Sequence, residues 1–91
     1  MLIVSYDITD DKLRNKFSNF LKKFGFRLQY SVFQVKNSTR ILNNIAAEIS
    51  TSFGKKFEQT DSVIIFQLSK QCKKICFGYA ANDDDELIIV D

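Results

Sequence analysis

The stretch Leu2-Ile3-Val4-Ser5-Tyr6-Asp7-Ile8-Thr9-Asp10-Asp11-Lys12-Leu13-Arg14-Asn15-Lys16-Phe17-Ser18-Asn19-Phe20-Leu21-Lys22-Lys23-Phe24-Gly25 changes its hydrophobic period midway, and that change decides the fold. Residues 2–7 are apolar on both alternations, the pattern of a strand in the middle of a sheet. After Asp7 the period becomes helical: Leu13, Phe17, Phe20, Leu21 and Phe24 form one stripe. Thr9 or Asp10 can cap this helix, and Asp11 sits in its first turn near the positive end of the dipole. Gly25 is expected to stop it, because glycine tolerates the left-handed conformation that ends helices.

Working outward, Phe26, Leu28 and Tyr30 alternate with Arg27, Gln29 and Ser31, as in a half-buried strand. The phase then slips, since Phe33 and Val35 are apolar at odd positions. A bend, tight turn or bulge near Tyr30-Ser31-Val32 accounts for it. Residues 36–39 form a turn into a second helix, with Ile41, Leu42, Ile45, Ala46, Ile49 and Phe53 inward and Gly54 at its end. Ser62 to Leu68 reads as a further strand, again apolar on both faces. Residues 71–79 suit a short strand or turn, and Leu87-Ile88-Ile89-Val90 a last strand.

The order β-α-β-β-α-β plus a C-terminal strand is the ferredoxin-like split βαβ arrangement, an α+β class, over a single domain 1–91. Two helices cover only one face of such a sheet. The apolar second face calls for a twofold partner, so a homodimer is expected, with the acidic turn and strand of residues 80–91 packing on the other subunit.

Composition narrows the chemistry. No apolar run approaches the roughly 20 residues of a membrane helix, and the opening apolar stretch is broken by Tyr6 and Asp7, unlike a signal peptide. The expected location is the cytoplasm. Cys72 and Cys76 have no other cysteine and no histidine to complete a zinc site, so ordinary thiols are preferred to a metal centre or a disulfide. The lack of histidine also removes the commonest general base and every catalytic triad that uses one. Hydrolysis would have to rest on carboxylates, a metal ion, Lys, Tyr or Cys.

Charge is segregated. Lys12, Arg14, Lys16, Lys22, Lys23, Arg27, Lys36 and Arg40 fall in a span without an acid, while Asp83, Asp84, Asp85, Glu86 and Asp91 crowd the other end. Residues 1–82 hold 13 basic and 6 acidic residues, a net of +7. Such a segment suits a polyanion, or forms a solvated helix face. The acidic run at 83–86 reads as a solvated, self-repelling turn, or as a dock for a basic partner.

Three blocks carry a resemblance. Tyr6-Asp7-Ile8 followed by Thr9-Asp10-Asp11-Lys12-Leu13-Arg14-Asn15-Lys16 resembles the N-terminal signature of the CRISPR-associated endoribonuclease family, the small partner of the spacer-acquisition integrase. Gly25-Phe26-Arg27-Leu28-Gln29-Tyr30-Ser31-Val32-Phe33-Gln34-Val35 is similar to that family's G-x-R-x-Q-x-S-V-F-E segment, with Gln34 where glutamate is frequent. Asp61-Ser62-Val63-Ile64-Ile65-Phe66-Gln67-Leu68 resembles its fourth strand.

The resemblance implies a ferredoxin-like homodimer whose two Asp7 carboxylates face a cleft between subunits and hold Mg2+. It implies a metal-dependent endonuclease acting on RNA or DNA, or a bridge that binds duplex DNA within the integrase complex of antiviral spacer acquisition. Magnesium takes few protein carboxylates and keeps several waters, so one aspartate per subunit is compatible with it. The alternative for Asp7 is a helix cap. Arg14, Lys16 and Arg27 are candidate phosphate contacts, with Arg27 placed on the polar side of its strand beside Gln29 and Ser31. Tyr6 is a candidate for base stacking or for the dimer seam, and Phe33 for core or interface. Two other functions fit the same fold. One is a stand-alone mRNA-cleaving toxin. The other is a ferredoxin-like regulatory or RNA-binding module, disfavoured because the aromatic RNA-binding strand motifs are missing.

Overall fold

Parity along the first strand, β1 (Leu2–Asp7), sorts its side chains: Leu2, Val4 and Tyr6 are buried, Ile3 and Ser5 half-buried, Asp7 exposed. In the computed structural model, which describes residues 1–69, this strand is followed by α1 (Asp11–Leu21), β2 (Gly25–Gln29), β3 (Val32–Val35) and α2 (Thr39–Thr51). A 3₁₀ turn (Phe53–Lys56) and β4 (Ser62–Gln67) complete the described chain. The sheet order is β2-β3-β1-β4, with every pairing antiparallel. The β1-α1-β2 connection leaves a slot that β3 fills, which is the ferredoxin-like arrangement expected from the sequence. The expected strand at 87–90, the segment 71–79 and the acidic run lie outside the described residues.

The register assigns the two faces. Leu2, Val4 and Tyr6 share theirs with Phe33 and Val35 of β3 and with Ile65 and Val63 of β4. Leu13, Phe17 and Leu21 of α1 and Ile45 of α2 close over this face, and Phe17, Leu21, Phe33 and Ile45 are wholly excluded from solvent. Each such side chain contributes about 1.5–3 kcal/mol of burial. Tyr6 meets the Phe17 ring edge-on at 5.1 Å, and Phe17 meets Phe53 at 5.0 Å, so aromatic contacts tie the sheet to α1 and to the 3₁₀ turn. Ala46, expected on the inner face of α2, is exposed.

The opposite face carries no helix. Ile3, Ser5 and Asp7 lie there with Phe66, Ile64 and Ser62 of β4, Gln34 and Val32 of β3, and Phe26 of β2. Ile64, Phe66 and Phe26 are 52%, 48% and 44% exposed. This is the apolar second face that the two-sided pattern of Ser62–Leu68 demanded.

Two glycines act differently from expectation. Helix α1 ends at Leu21, capped by Lys22 in the right-handed helical region, four residues before Gly25. Gly25 instead opens β2 where the chain nearly touches β3: a Cβ there would lie 1.9 Å from the Gln34 carbonyl oxygen. Glycine is needed for close approach of two backbones. Gly54 falls within the 3₁₀ turn beyond α2, where a Cβ would come within 2.7 Å of the Ile49 carbonyl oxygen. The phase slip in the second strand has two causes. Tyr30-Ser31 is the turn, and a bulge sets Arg27 opposite Phe33 but Gln29 opposite Val32, leaving Leu28 unpaired.

Candidate active site and basic surface

Asp7 ends β1 between two buried residues, Tyr6 at 4% and Ile8 at 2% exposure. Those inward side chains hold the intervening carboxylate outward, opposite Ser62 of β4. Around it, the other acids are occupied. Asp10 is the N-cap of α1, its Oδ2 accepting the Leu13 N–H at 2.8 Å, which resolves the choice between Thr9 and Asp10. Asp11 pairs with Arg14. Asp61 accepts the Thr9 N–H at 2.9 Å through Oδ1 and the Glu58 N–H at 2.8 Å through Oδ2. Those two backbone donors, Glu58 first, hold the Asp61 carboxyl below the usual carboxylate range. Asp7 is not the helix cap, and its carboxylate makes no hydrogen bond or ion pair among the described residues.

This bears on whether Mg2+ fits. No cluster of three or more His, Cys, Asp or Glu occurs among the described residues. At the end of β1 the chain therefore offers Asp7 as a lone carboxylate, whose two oxygens suit a hard cation provided that waters and a second copy complete the shell.

The basic residues are placed less uniformly than their spacing suggests. Arg14, with its side chain 25% exposed, donates from Nη1 to the Ile8 carbonyl at 3.0 Å and the Thr9 carbonyl at 3.4 Å. Its Nη2 reaches Asp11. It braces the loop that directly follows Asp7. The hydrogen bond to Asp11, above all, raises its pKa, with the Tyr30 phenol adding to the effect.

Arg27 is a correction. It was expected in a polar row with Gln29 and Ser31, but the bulge places it and Gln29 on opposite faces of the sheet. Arg27 turns toward α1, where it donates to the hydroxyl of Ser18, which is 4% exposed, and stacks its guanidinium 5.4 Å from the Phe33 ring centre. Tyr6 is a second correction. Its ring is in the chain's own core, 6.3 Å from Phe33, where it neither stacks on a base nor lines a dimer seam. Phe33 is core, with no exposed surface.

Lys16 is exposed and lies with Lys12 and Lys56 around an open groove of about 330 Å3, also lined by Asp10, Leu13 and Glu58. Helical spacing puts Lys12 and Lys16 on one face. The partnership with Lys56 depends on how the 3₁₀ turn packs, and no local signal carries it. Tyr30 also departs from expectation. Its place in the alternating pattern suggested burial, yet it is 72% exposed at the tip of the β2–β3 hairpin.

Against known proteins, residues 1–75 match the family model for CRISPR associated protein Cas2. Among curated relatives, the chain is 36% identical over 73 residues to the CRISPR-associated endoribonuclease Cas2 2 of Methanospirillum hungatei, covering 79% of this chain and 76% of that one. It is 33% identical over 70 residues to the CRISPR-associated endoribonuclease Cas2 4 of Rhodospirillum rubrum, covering 77% and 54%. Among solved structures, the hypothetical protein TT1823 of Thermus thermophilus superimposes with a TM-score of 0.68 at 30% identity over 85% of this chain and 90% of that one. Streptococcus pyogenes Cas2 shares the fold, with a TM-score of 0.63 at 21% identity over 77% and 87%. With the fold, the outward Asp7 and the family model in agreement over most of its length, the chain belongs to the CRISPR-associated Cas2 family.

Proposed function

We propose that the chain is a metal-dependent endonuclease of CRISPR antiviral defence, working as a homodimer that binds nucleic acid and bridges the integrase in spacer acquisition. The observation that carries the catalytic part is the division of labour among carboxylates: Asp10, Asp11 and Asp61 are consumed by the fold, and Asp7 is left facing solvent. The names of the relatives, endoribonucleases, support the same reading.

In this reading the open sheet face takes a second copy, because Ile3, Val32, Ile64 and Phe66 form an apolar strip larger than isolated surface residues would make. A dimer then supplies two Asp7 carboxylates for Mg2+. The ion, when bound, supplies charge stabilisation at the phosphodiester and a more acidic water. Arg14 braces the loop, Ile8 and Thr9, that directly follows Asp7. Lys12, Lys16 and Lys56 contact phosphates, and Arg27, held by Ser18 on the opposite side of α1, offers its remaining donors to a separate contact.

The test is cleavage of labelled single-stranded RNA and duplex DNA, with Mg2+ or EDTA, by wild type and Asp7→Ala. Metal-dependent cutting lost in the variant, with assembly intact, supports the assignment. Cutting that survives Asp7→Ala refutes it. A second reading is the non-catalytic bridge, favoured by the lack of a carboxylate cluster among the described residues and by the lysine-lined groove. Its mark is duplex binding that weakens steeply with salt, is indifferent to Asp7→Ala, and is accompanied by no cleavage.

A further inference from the structure

We infer that Asp61 is a positioning residue for the Asp7 site: its carboxylate keeps the end of the β1–β4 ladder closed and so fixes where Asp7 is offered to a divalent cation. The inference rests on the metal-dependent reading above and deepens it by naming a residue that acts through the backbone.

Asp7 stands at a weak point of the sheet. On one side β1 pairs with β3 from Leu2 to Ser5, and on the other with β4 from Leu2 to Asp7. The pair Asp7↔Ser62 is therefore the last of its ladder, with no β3 residue in register on the far side. Ladder ends open at little cost in free energy. The Asp7 carboxylate has no hydrogen bond or ion pair among the described residues, so its place is set by its backbone.

Asp61 bonds across that end. It directly precedes Ser62, and its Oδ1 accepts the N–H of Thr9, two residues past Asp7, at 2.9 Å. Its Oδ2 accepts the Glu58 N–H at 2.8 Å, while its own N–H donates to the Glu58 carbonyl at 2.9 Å. The side chain is thus fixed to its own turn before it meets Thr9, and little further freedom is lost in that contact. From the other side, Arg14 donates to the Ile8 carbonyl at 3.0 Å and to the Thr9 carbonyl at 3.4 Å, and pairs with Asp11. Thr9 is held by its amide to the turn before β4 and by its carbonyl to α1. A metal carboxylate must stay within about 0.5 Å of its working position, so contacts that hold it count in affinity as well as in stability. The two oxygens of Asp61 divide these roles: Oδ2 closes the turn, and Oδ1 holds the loop after Asp7.

The experiment titrates Mg2+ alone into the full chain, followed at the Asp7 carboxyl carbon resonance, for wild type, Asp61→Ala, Asp61→Asn and Ile45→Val. Ile45→Val is a core change within α2 that lowers stability away from the ladder end. Asp61→Asn keeps an oxygen for the Thr9 amide and sets a donor against the Glu58 N–H. Asp61→Ala is expected to weaken Mg2+ about tenfold. Without metal, it should speed amide exchange at the Asp7–Ser62 end of the ladder more than at the Leu2–Gln67 end. Asp61→Asn should lose stability yet stay within about threefold of wild type in Mg2+ affinity, and Ile45→Val should match wild type. Mg2+ affinity that follows melting temperature across the three variants would reduce Asp61 to a structural role and overturn the inference. So would affinity and exchange left unchanged by Asp61→Ala, and either result alongside an Asp7 that still binds Mg2+ removes this inference alone. An Asp7 resonance indifferent to Mg2+ in wild type, with the ladder end opened by Asp61→Ala, would remove the metal assignment and leave the hold on Asp7 standing.

Discussion

Replacing Gly25 by alanine should break the β2–β3 pairing from its end inward. The added Cβ would meet the Gln34 carbonyl oxygen at 1.9 Å and the Gln34 carbonyl carbon and Val35 Cα at 2.8 Å, all of them backbone atoms. Real Cβ contacts do not fall below 3.0 Å, so the two strands must separate there by at least about 1 Å. No side-chain rotation relieves the contact. The pairs Gly25↔Val35 and Phe26↔Gln34 are the first to open. Two weakened backbone hydrogen bonds at about 1 kcal/mol each, with the strain of overpacking, give a loss of about 2–4 kcal/mol. That is a large share of the roughly 5–15 kcal/mol available to a domain. Urea unfolding followed by far-ultraviolet circular dichroism measures it directly, with Gly54→Ala as a comparison. Because β2 carries Arg27, nucleic-acid binding should fall with stability. A Gly25→Ala protein within about 0.5 kcal/mol of wild type would refute the claim that close approach is the reason for this glycine.

Other perturbations follow from the same geometry. A double-mutant cycle on Arg27→Ala and Ser18→Ala should show a coupling of about 1 kcal/mol in unfolding, the low end for a charged hydrogen bond because Arg27 is largely exposed. A coupling near zero would free Arg27 from its structural duty. Asp61→Asn should lower the melting temperature near neutral pH. The Asp61 pKa is depressed below its ordinary 3.8, so its contribution is present above that value and disappears as pH falls through the lower folded one. The gap between wild type and variant should therefore shrink in acid, and a gap constant with pH would contradict the assignment. Replacing Ile64 and Phe66 by lysine should leave the fold intact and yield monomers in light scattering, since both side chains point away from the core. Dimers that persist would place the interface elsewhere. Lys16→Ala should reduce the slope of log affinity against log salt for duplex DNA by about 1, and an unchanged slope would remove Lys16 from the phosphate contacts.

The element order, the inner stripe of α1 and the uncovered apolar face were legible because each is written in a local period: 2 for strands, 3.6 for helices. Asp7 was legible as a residue at a strand end, but its freedom was not. That depends on Asp61, more than fifty positions away, taking the Thr9 N–H, and on Asp10 taking the cap. Arg27 was misplaced because alternation assumes an unbroken pleat. A single extra residue at Leu28 reverses the face of everything before it. Tyr6 was expected at a base or a dimer seam, while its parity with Leu2 and Val4 put the ring in the core.

Covalent neighbours, in short, decide which segments can be helix or strand, since backbone sterics and side-chain spacing act over a few residues. The chain's own sequence therefore carries its class, its element order and its charge asymmetry. Contacts across the fold decide which polar groups are spent on the structure and which remain for chemistry. Four aspartates occur among the described residues, Asp7, Asp10, Asp11 and Asp61. Only backbone amides and an arginine brought together by folding distinguish the one left free from the three that are not.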